Sequence, residues 1–338
     1  MDPFPVPTGP LHPDEIAAQR RAGRAPRMPA IRRLMPEQHR EFFATLPCVF
    51  LSVIDDAGWP IALMLSAEAG FVRSRDPATL RIERLPDEAD PAASCLMPGG
   101  AIGVLGIDLA TRRRNRANGR IVARDAEGLS IAVEQSFGNC PQYIQRRALS
   151  RDAAAPRGVE PVAALDAEAR RLIFHADTFF VASVSPQGLG SAGGADISHR
   201  GGRPGFVRVA GETLTIPDFR GNFYFNTLGN LLGEPRAGLL FLDFEHGDLL
   251  QLQGITEIDW SGEAAHEVAG AERSWRFRVV RGWRRRGASP LRWRFVDFAP
   301  TTERTGVWES EDDLPAEADR GATSATACRR AGPGASCG

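Results

Sequence analysis

The residues best suited to chemistry follow a strand-like segment in the second half of the chain. Glu212–Ile216 reads ETLTI, and Arg220, Gly221 and Asn222 come shortly after it, just before a helical pattern that ends near Gly233. Backbone amides at a helix N-terminus carry partial positive charge, and a neighbouring guanidinium adds a full charge. The turn therefore predicts a site for an anionic group such as a phosphate.

A glycine-rich hairpin precedes this turn and reads GADISHRGGRPGFV. Ser198, Arg200 and Arg203 lie in it among glycines, which let a backbone approach a ligand closely. An ordinary polar turn would have the same composition. The Arg220 turn at the expected distance favours the ligand-binding interpretation.

The third cluster, TRRRNRANG, spans residues 111–119 and aligns without a gap to HGDLLQLQG later in the chain. It therefore predicts a hairpin leading into a strand, on which Arg114, Arg116 and Asn118 share one face. A solvated charged strand is one alternative. Contact with nucleic acid is another, although a net charge of −1 gives no general attraction to nucleic acid.

The fourth cluster runs from Glu134 to Tyr143 and predicts the end of a strand followed by a helix. Asn139 is a plausible N-cap with Pro141 in the first turn. Cys140 at a helix start could have a lowered pKa, but a buried, inert cysteine is the preferred interpretation. The six histidines are scattered, and no CxxC, HExxH or GxSxG spacing occurs, so neither a metal nor a catalytic residue is assigned.

Composition narrows the chemistry further. All 41 basic residues among the 338 are arginine, which excludes a lysine Schiff base with pyridoxal phosphate and leaves arginine to hold any phosphate. Five cysteines without a CxxC pair argue against a disulfide scaffold and favour a reducing cytoplasm. No apolar run approaches the roughly 20 residues of a membrane span, and the N-terminus lacks the apolar core of a secretory signal.

The chain contains an internal repeat. GFVR at Gly70–Arg73 recurs at Gly205–Arg208, and AIGVLGID at Ala101–Asp108 recurs as RAGLLFLD at Arg236–Asp243, both at a shift of 135. We therefore predict two copies of one β-rich unit, over roughly 34–135 and 165–262. In the first copy, the span equivalent to the Arg220 turn is acidic and broken by prolines, so only one anion site is expected.

The expected fold is mainly β, with peripheral α helices and two tandem split β-barrels. Its predicted parts are an N-terminal extension (1–33), a first repeat (34–151), a linker (152–163), a second repeat (164–300) and a disordered tail (301–338). Helices are predicted at Pro36–Leu46, Ala164–His175 and Gln142–Arg151. One or two strands within Ser274–Phe298 should close the second repeat, and removal of the chain after Pro300 should leave ligand binding intact.

The segments GADISHRGGRPGFVRV, TLTIPDFRGNFYFNTLGNLLGEPRAGLLFLD and EQSFGNCPQYIQ resemble predicted flavin-nucleotide-binding proteins related to pyridoxamine 5′-phosphate oxidase. This resemblance covers about 35–300. It implies FMN held in a groove between two barrels, with its phosphate bound by basic and hydroxyl side chains. The duplication suggests that both barrels belong to one chain, while a further homodimer stays open.

Carried over, the resemblance implies nine cofactor-binding residues. Three would line the flavin strand, Arg200 would assist, two would hold the phosphate, and three would face the flavin from the first copy: Asp196, Ile197, Ser198, Arg200, Arg220, Asn222, Arg114, Arg116 and Asn118. The oxidase's Arg-Lys pair reads Arg220-Gly221 here, so pyridoxamine phosphate is not the expected substrate.

The sequence thus favours an FMN-dependent oxidoreductase acting on an unknown small molecule, with no nucleic acid or membrane partner. A non-catalytic flavin carrier or sensor is the alternative, and deazaflavin or haem could replace FMN in the same fold.

Overall fold

The computed structural model describes residues 10–26, 29–152 and 158–308. The described chain is mainly β and built from antiparallel sheets, as predicted. Its helices are α1 (Pro13–Arg21), α2 (Glu37–Thr45), α3 (Ala167–His175) and α4 (Asn226–Gly233).

The strands are β1 (Cys48–Ile54), β2 (Pro60–Ser66), β3 (Val72–Asp76), β4 (Thr79–Ile82), β5 (Ala101–Asp108), β6 (Arg113–Arg124), β7 (Leu129–Gly138), β8 (Arg146–Arg151), β9 (Val159–Val162), β10 (Thr178–Val184), β11 (Ala195–Gly201), β12 (Arg208–Ala210), β13 (Thr213–Phe219), β14 (Arg236–Leu242), β15 (Leu249–Asp259), β16 (Ala271–Arg285) and β17 (Leu291–Asp297).

Two sheets have the same strand order. The first runs β2-β1-β5-β6-β7-β4-β3 and the second runs β11-β10-β14-β15-β16-β13-β12, with β9 added beside β16. Barrel closure was expected from the sequence. Within the described residues, however, no pairing joins β2 to β3 or β11 to β12, so both sheets are open in their hydrogen bonding.

The sheets pack against each other through residues that alternate along their central strands. On β1, Val49 and Leu51 enter the core of the first sheet, whereas Phe50 enters an apolar cluster shared by both sheets. Phe50 stacks there on Phe180 of β10, with ring centres 3.5 Å apart. Burial on both faces explains why these strands are apolar throughout rather than alternating with polar residues.

Each sheet also lays its edge strand across the other sheet. A Cβ at Gly103 of β5 would lie 2.8 Å from the Asp196 Cα, and a Cβ at Gly238 of β14 would lie 2.6 Å from the Pro60 carbonyl oxygen. These glycines are 135 residues apart, the repeat distance found in the sequence. The close backbone approach therefore occurs at equivalent positions in both sheets.

Two predictions for the middle of the chain are wrong. The expected helix over Gln142–Arg151 is a turn followed by β8, which pairs with β17 so that Leu149 lies opposite Trp293. A strand partner more than 100 residues away overrides the local helical pattern. The expected linker over 152–163 ends in β9, which pairs with β16, and residues 153–157 lie outside the described residues. Because β17 pairs with β8, it does not close the second sheet.

The predicted extension and tail are also partly folded. Within 1–33, α1 packs on α4, and Glu15 lies against Gly229. Within 301–338, Trp308 is buried and its indole N–H donates to the Phe206 carbonyl over 2.9 Å. Residues 309–338 lie outside the described residues. No helix among the described residues is long and apolar enough to cross a membrane.

Candidate functional site

A polar cleft lies where β6 of the first sheet meets β11 and the β13–α4 connection of the second sheet. Its volume is about 110 Å³. Its walls come from both sheets and from the turn after β7, and include Arg114, Arg116, Asn139, Cys140, Tyr143, Ser198, His199, Arg200, Asp218, Phe219, Asn222, Phe223, Phe225, Asn226, Thr227, Glu272 and Arg273. We call this cavity the cleft.

A buried polar network joins the two sheets behind the cleft. Arg116 donates to both oxygens of Asp196 over 3.0 Å and to the Ser198 hydroxyl over 2.5 Å. Asn118 donates to the same Asp196 carboxylate over 2.9 Å. Burial lowers the pKa of Arg116, and the Asp196 charge opposes that shift. The network fixes β6 against β11, and the Asp196 carboxylate balances the charge of Arg116.

Arg114 has different surroundings. Its Nε donates to the Cys140 carbonyl over 3.0 Å, and its Nη1 lies 3.0 Å from Nδ1 of His199. Within the described residues, no carboxylate lies in salt-bridge distance of it. Burial lowers its pKa to about 10, and the nearby Arg116 and Arg200 charges act in the same direction. The group therefore keeps its positive charge at neutral pH without a compensating anion.

Two further arginines share one carboxylate. Arg200 donates to Asp218 over 2.5 Å, and Arg273 forms an ion pair with the other oxygen of the same group. Arg273 also pairs with Glu272 over 2.9 Å. Together with the Arg116 pair, these contacts leave one positive charge in excess around the cleft, that of Arg114. An excess of guanidinium groups in a partly dry cleft favours an anionic ligand.

The N-terminus of α4 forms the floor of the cleft. Asn226 and Thr227 line it, and the Thr227 hydroxyl lies 2.6 Å from that of Ser198. The first amides of a helix have no acceptor within the helix and carry partial positive charge. The helix begins at Asn226, four residues after Asn222, so the predicted arrangement of turn and helix is present with a short extra loop between them.

Backbone strain is concentrated at the cleft. Among the described residues, four that are not glycine have a positive φ, and three of them line the cleft: Tyr143 (61°), Phe223 (62°) and Phe225 (60°). Bulky residues avoid this conformation, which costs on the order of 1–3 kcal/mol for each. Strain held by surrounding structure is a frequent property of ligand sites.

The structure brings five of the nine predicted residues to the cleft walls: Arg114, Arg116, Ser198, Arg200 and Asn222. Asp196 and Asn118 lie just behind them in the network described above.

The two remaining residues lie elsewhere. Ile197 points away into the apolar cluster between the sheets, because neighbours on a strand face opposite sides. Arg220 is exposed and does not line the cleft, since β13 ends at Phe219 and the alternation ends with it. Its carbonyl accepts a hydrogen bond from the Tyr143 hydroxyl over 3.0 Å, and its guanidinium lies 5.6 Å from the ring centre of Phe223.

Sequence reasoning missed the contribution of the N-terminal segment. Gln19 of α1 donates to the Phe223 carbonyl over 3.0 Å, and the Arg24 guanidinium lies 4.3 Å from the Phe223 ring centre. Glu15 accepts a 2.5 Å hydrogen bond from Asn226, and burial raises its pKa to about 8. PDEIAAQRR has the local features of a helix, but nothing in its pattern indicates that it docks on α4.

Asp218, His199 and Arg273 were also missed. The first two lie in segments that the sequence singled out: His199 lies between Ser198 and Arg200, and Asp218 lies two residues before Arg220. Arg273 lies on β16, opposite Asp218 of β13. Its place in the cleft depends on the pairing register of two distant strands, which no local pattern reveals.

Several buried polar atoms at the cleft have no partner among the described residues: Asn139 Oδ1, His199 Nε2, Arg116 Nε and Arg200 Nε. Buried polar groups are almost always satisfied by protein, water or ligand. Beside them, Tyr143 stacks on Phe219 with ring centres 5.4 Å apart. The cleft thus combines unused polar atoms, excess positive charge and an aromatic wall, which suits an anionic ligand with a flat ring.

No family model matches the chain, and no curated protein matches it. Among solved structures, a single-residue variant of HupZ from Group A Streptococcus is 16% identical and covers 36% of this chain and 98% of its own, with a TM-score of 0.28. A putative pyridoxamine 5′-phosphate oxidase from Lactobacillus delbrueckii is 16% identical over 31% of this chain and 95% of its own, with a TM-score of 0.25. HutZ, a haem storage protein from Vibrio cholerae, is 14% identical over 35% and 92%, with a TM-score of 0.24. Scores this low carry no argument about the fold or function of this chain.

Proposed function

We propose that the chain is an FMN-binding protein with two tandem split barrels, and that it uses the flavin as an oxidoreductase acting on a small molecule. The observation that carries the proposal is Arg114, a half-buried guanidinium in the cleft with no carboxylate partner among the described residues. A phosphate would supply the missing anion. The neighbouring N-terminus of α4 would add donors suited to the same group.

The proposed phosphate position differs from the one that the resemblance implied. Arg114, Arg200 and the first turn of α4 are the main phosphate partners in this proposal. Asn222 lies at the cleft wall as a secondary contact, and exposed Arg220 contributes only charge from outside. Arg116, Asn118, Asp196 and Ser198 support the site by fixing the junction of the sheets.

The flavin ring would lie near Tyr143 and Phe219, where an aromatic wall is already present. The cleft volume of about 110 Å³ is below the range of about 300–1,000 Å³ that is common for ligand pockets. Ring binding therefore requires residues 221–225 to move outward. That segment is suited to such a change, since Phe223 and Phe225 within it have strained backbone conformations.

FMN, when bound, would supply the electron or hydride transfer. The protein's own part would be to position the ring and to favour its reduced, anionic form through nearby guanidinium groups. No side chain at the cleft is assigned as an acid or base, so the flavin itself would carry the reaction.

The spectrum of freshly purified protein tests this proposal. The two-band visible spectrum of a flavin, together with release of FMN on denaturation as identified by mass, would support it. Colourless protein that gains no flavin on incubation with FMN would contradict it. Rapid reoxidation of the reduced flavin, or turnover with a nicotinamide donor, would separate an oxidoreductase from a carrier.

Haem is a second candidate, favoured by one observation. His199 lines the cleft, its Nε2 has no partner among the described residues, and burial together with nearby arginines lowers its pKa well below the usual value. A neutral imidazole is a common iron ligand. Because Arg114 can only donate to Nδ1, iron binding at Nε2 would move the ring proton from Nε2 to Nδ1 and break the contact with Arg114. A Soret band that disappears in the His199→Ala variant would favour haem, whereas a flavin spectrum would exclude it as the resident group.

A further inference from the structure

A second cavity lies between α3, the turn joining β14 to β15, and β17. It shares no lining residue with the cleft, and its walls include Arg147, Arg171, His175, Phe244, Trp293 and Phe295. Its volume is about 610 Å³, within the range of about 300–1,000 Å³ that is common for small-molecule sites. We call it the second cavity.

Aromatic rings form one wall of the second cavity. Trp293 meets Phe244 edge to face, with ring centres 5.6 Å apart, and Phe295 is 42% exposed beside them. The Arg147 guanidinium lies 3.8 Å from the Phe244 ring centre and 5.8 Å from that of Phe295. Flat rings and a stacked guanidinium present a surface that matches another planar ring.

Arg147, a wall residue of this cavity, also has unused donors. Only 6% of it is exposed, and its Nη2 donates to both oxygens of Asp177 over 2.8 and 2.7 Å. Its Nε and Nη1 are buried without a partner among the described residues. A guanidinium can only donate, so its complement must be an acceptor oxygen. Arg171 of α3, exposed and without an ion pair in the described chain, adds positive charge at the same side.

Acidic side chains also line the second cavity. Asp243, Glu245 and Asp248 line it on the β14–β15 turn. A phosphate would carry close to two negative charges into this field, whereas a carboxylate would carry one. Over the whole lining, five arginines balance five carboxylates, so the second charge of a phosphate would have no counter-charge and a singly charged acid is favoured.

We propose that the second cavity binds a planar aromatic carboxylate. Its ring would lie against Phe244, Trp293 and Phe295, and its carboxylate would accept from the free N–H groups of Arg147. This site is independent of the proposed flavin site, because the two cavities share no lining residue.

Titration with 2-naphthoate tests the proposal, using quenching of tryptophan emission and ligand-detected NMR as two readouts. 2-Naphthylmethanol is the matched probe, with the same ring and no charge. We expect naphthoate to bind at least about tenfold more tightly than the alcohol, because only the acid can form charge-assisted hydrogen bonds. Equal affinities, or no binding of naphthoate at millimolar concentration, would overturn the proposal.

Variants locate the binding. Phe295→Ala, at an exposed position that should tolerate change, is expected to weaken naphthoate binding by about five- to tenfold. Val296→Ala, its exposed neighbour outside the cavity walls, should leave binding unchanged.

The double variant Arg147→Met/Asp177→Asn removes both buried charges together and should abolish the preference for the acid over the alcohol. If naphthoate binding is lost in Arg114→Leu but is unchanged in Phe295→Ala, the probe binds in the cleft and the second site is refuted.

Discussion

The two junctions between the sheets are equivalent in the repeat but differ in their charges. At the cleft, Arg116 of β6 reaches across to Asp196 and Ser198. A shift of 135 places Gln251 of β15 at the position equivalent to Arg116. Gln251 donates over 2.9 Å to the Ala62 carbonyl of β2. The charged Arg116 of one junction thus has an uncharged glutamine as its counterpart in the other.

The two junctions also differ in the connection that lies beside them, which joins β4 to β5 in the first sheet and β13 to β14 in the second. In the second sheet it forms α4, whose N-terminus opens into the cleft. In the first sheet it forms only the short 3₁₀ turn Ala93–Cys95 and buries Asp90, which binds Arg285 over 2.5 Å. The first connection closes its junction with a complete ion pair, whereas the second leaves Arg114 without a carboxylate. Under the proposed function, duplication gives one junction that stabilises the fold and one that binds a ligand.

The largest expected effect comes from the closed junction. Asp90→Asn leaves the buried Arg285 with only the partly exposed Asp87, 3.4 Å away, as a counter-charge, so the free energy of unfolding should fall by about 3 kcal/mol, the lower end of the range for a broken buried pair. Urea unfolding followed by far-UV circular dichroism measures this loss. The FMN affinity of the folded protein should be unchanged.

The double variant Asp90→Asn/Arg285→Met is the control, since it removes both charges and should recover much of the lost stability. Glu234→Gln, which breaks the more exposed pair with Arg236, should cost less than about 1 kcal/mol. A stable Asp90→Asn protein would show that this junction does not depend on the pair.

The second expected effect concerns the cleft. Arg114→Leu should weaken FMN binding by about 1.5–3 kcal/mol, the range for a hydrogen bond to a charged group. Unfolding stability should not fall, because the variant removes a half-buried charge that has no anionic partner. Quenching of flavin fluorescence gives the affinity.

Arg113→Gln is the matched control for Arg114, since it lies next to it on β6, faces outward and is exposed. It should leave FMN affinity unchanged. Equal losses in both variants would indicate long-range charge rather than direct contact with the phosphate.

The third expected effect is a pH dependence from Glu15, which packs against α4 at the cleft. Its folded pKa of about 8 lies above the ordinary value of 4.5, so between these two values the folded chain holds a proton that the unfolded chain releases. Stability from this group is therefore lost as pH rises from 4.5 to about 8, by up to about 1.4 kcal/mol per pH unit. Glu15→Gln should flatten this part of the stability curve relative to the original protein, and parallel curves would contradict the assignment.

The smallest expected effect is that of Arg220→Ala. The sequence made Arg220 a principal phosphate ligand, but its side chain is exposed and lies 5.6 Å from the Phe223 ring centre. FMN affinity should change by only about 0.5 kcal/mol, the scale of an exposed cation–π contact. A loss as large as that of Arg114→Leu would restore the sequence-based assignment and require the 221–225 loop to fold inward on binding.

Much of the fold could be read from the sequence because the repeat is long and its strands are strongly apolar. The helices at Glu37–Thr45 and Ala167–His175 lie where helical spacing placed them. The strand β8 could not be found in this way, because the pairing of Leu149 with Trp293 joins segments far apart in the chain. Local pattern cannot report a partner at that distance.

The candidate site was predictable to a similar degree. Alternation along a strand placed Arg114 and Arg116 on one face, and both line the cleft. Strand alternation could not place Arg220, because β13 ends at Phe219 and alternation applies only within a strand. Glu15 and Arg273 reach the cleft through tertiary docking and strand register, which depend on the whole fold rather than on neighbouring residues.

The central claim is that the cleft holds the phosphate of a flavin nucleotide through Arg114. Parallel titration of the purified protein, stripped of any bound chromophore, with FMN and with riboflavin tests it most directly, because the two ligands share a ring and differ in the phosphate. If Arg114 holds the phosphate, FMN should bind more tightly than riboflavin by roughly 10- to 100-fold, and this advantage should be lost in Arg114→Leu. Equal affinities for the two flavins, or an advantage that survives in the variant, would contradict it.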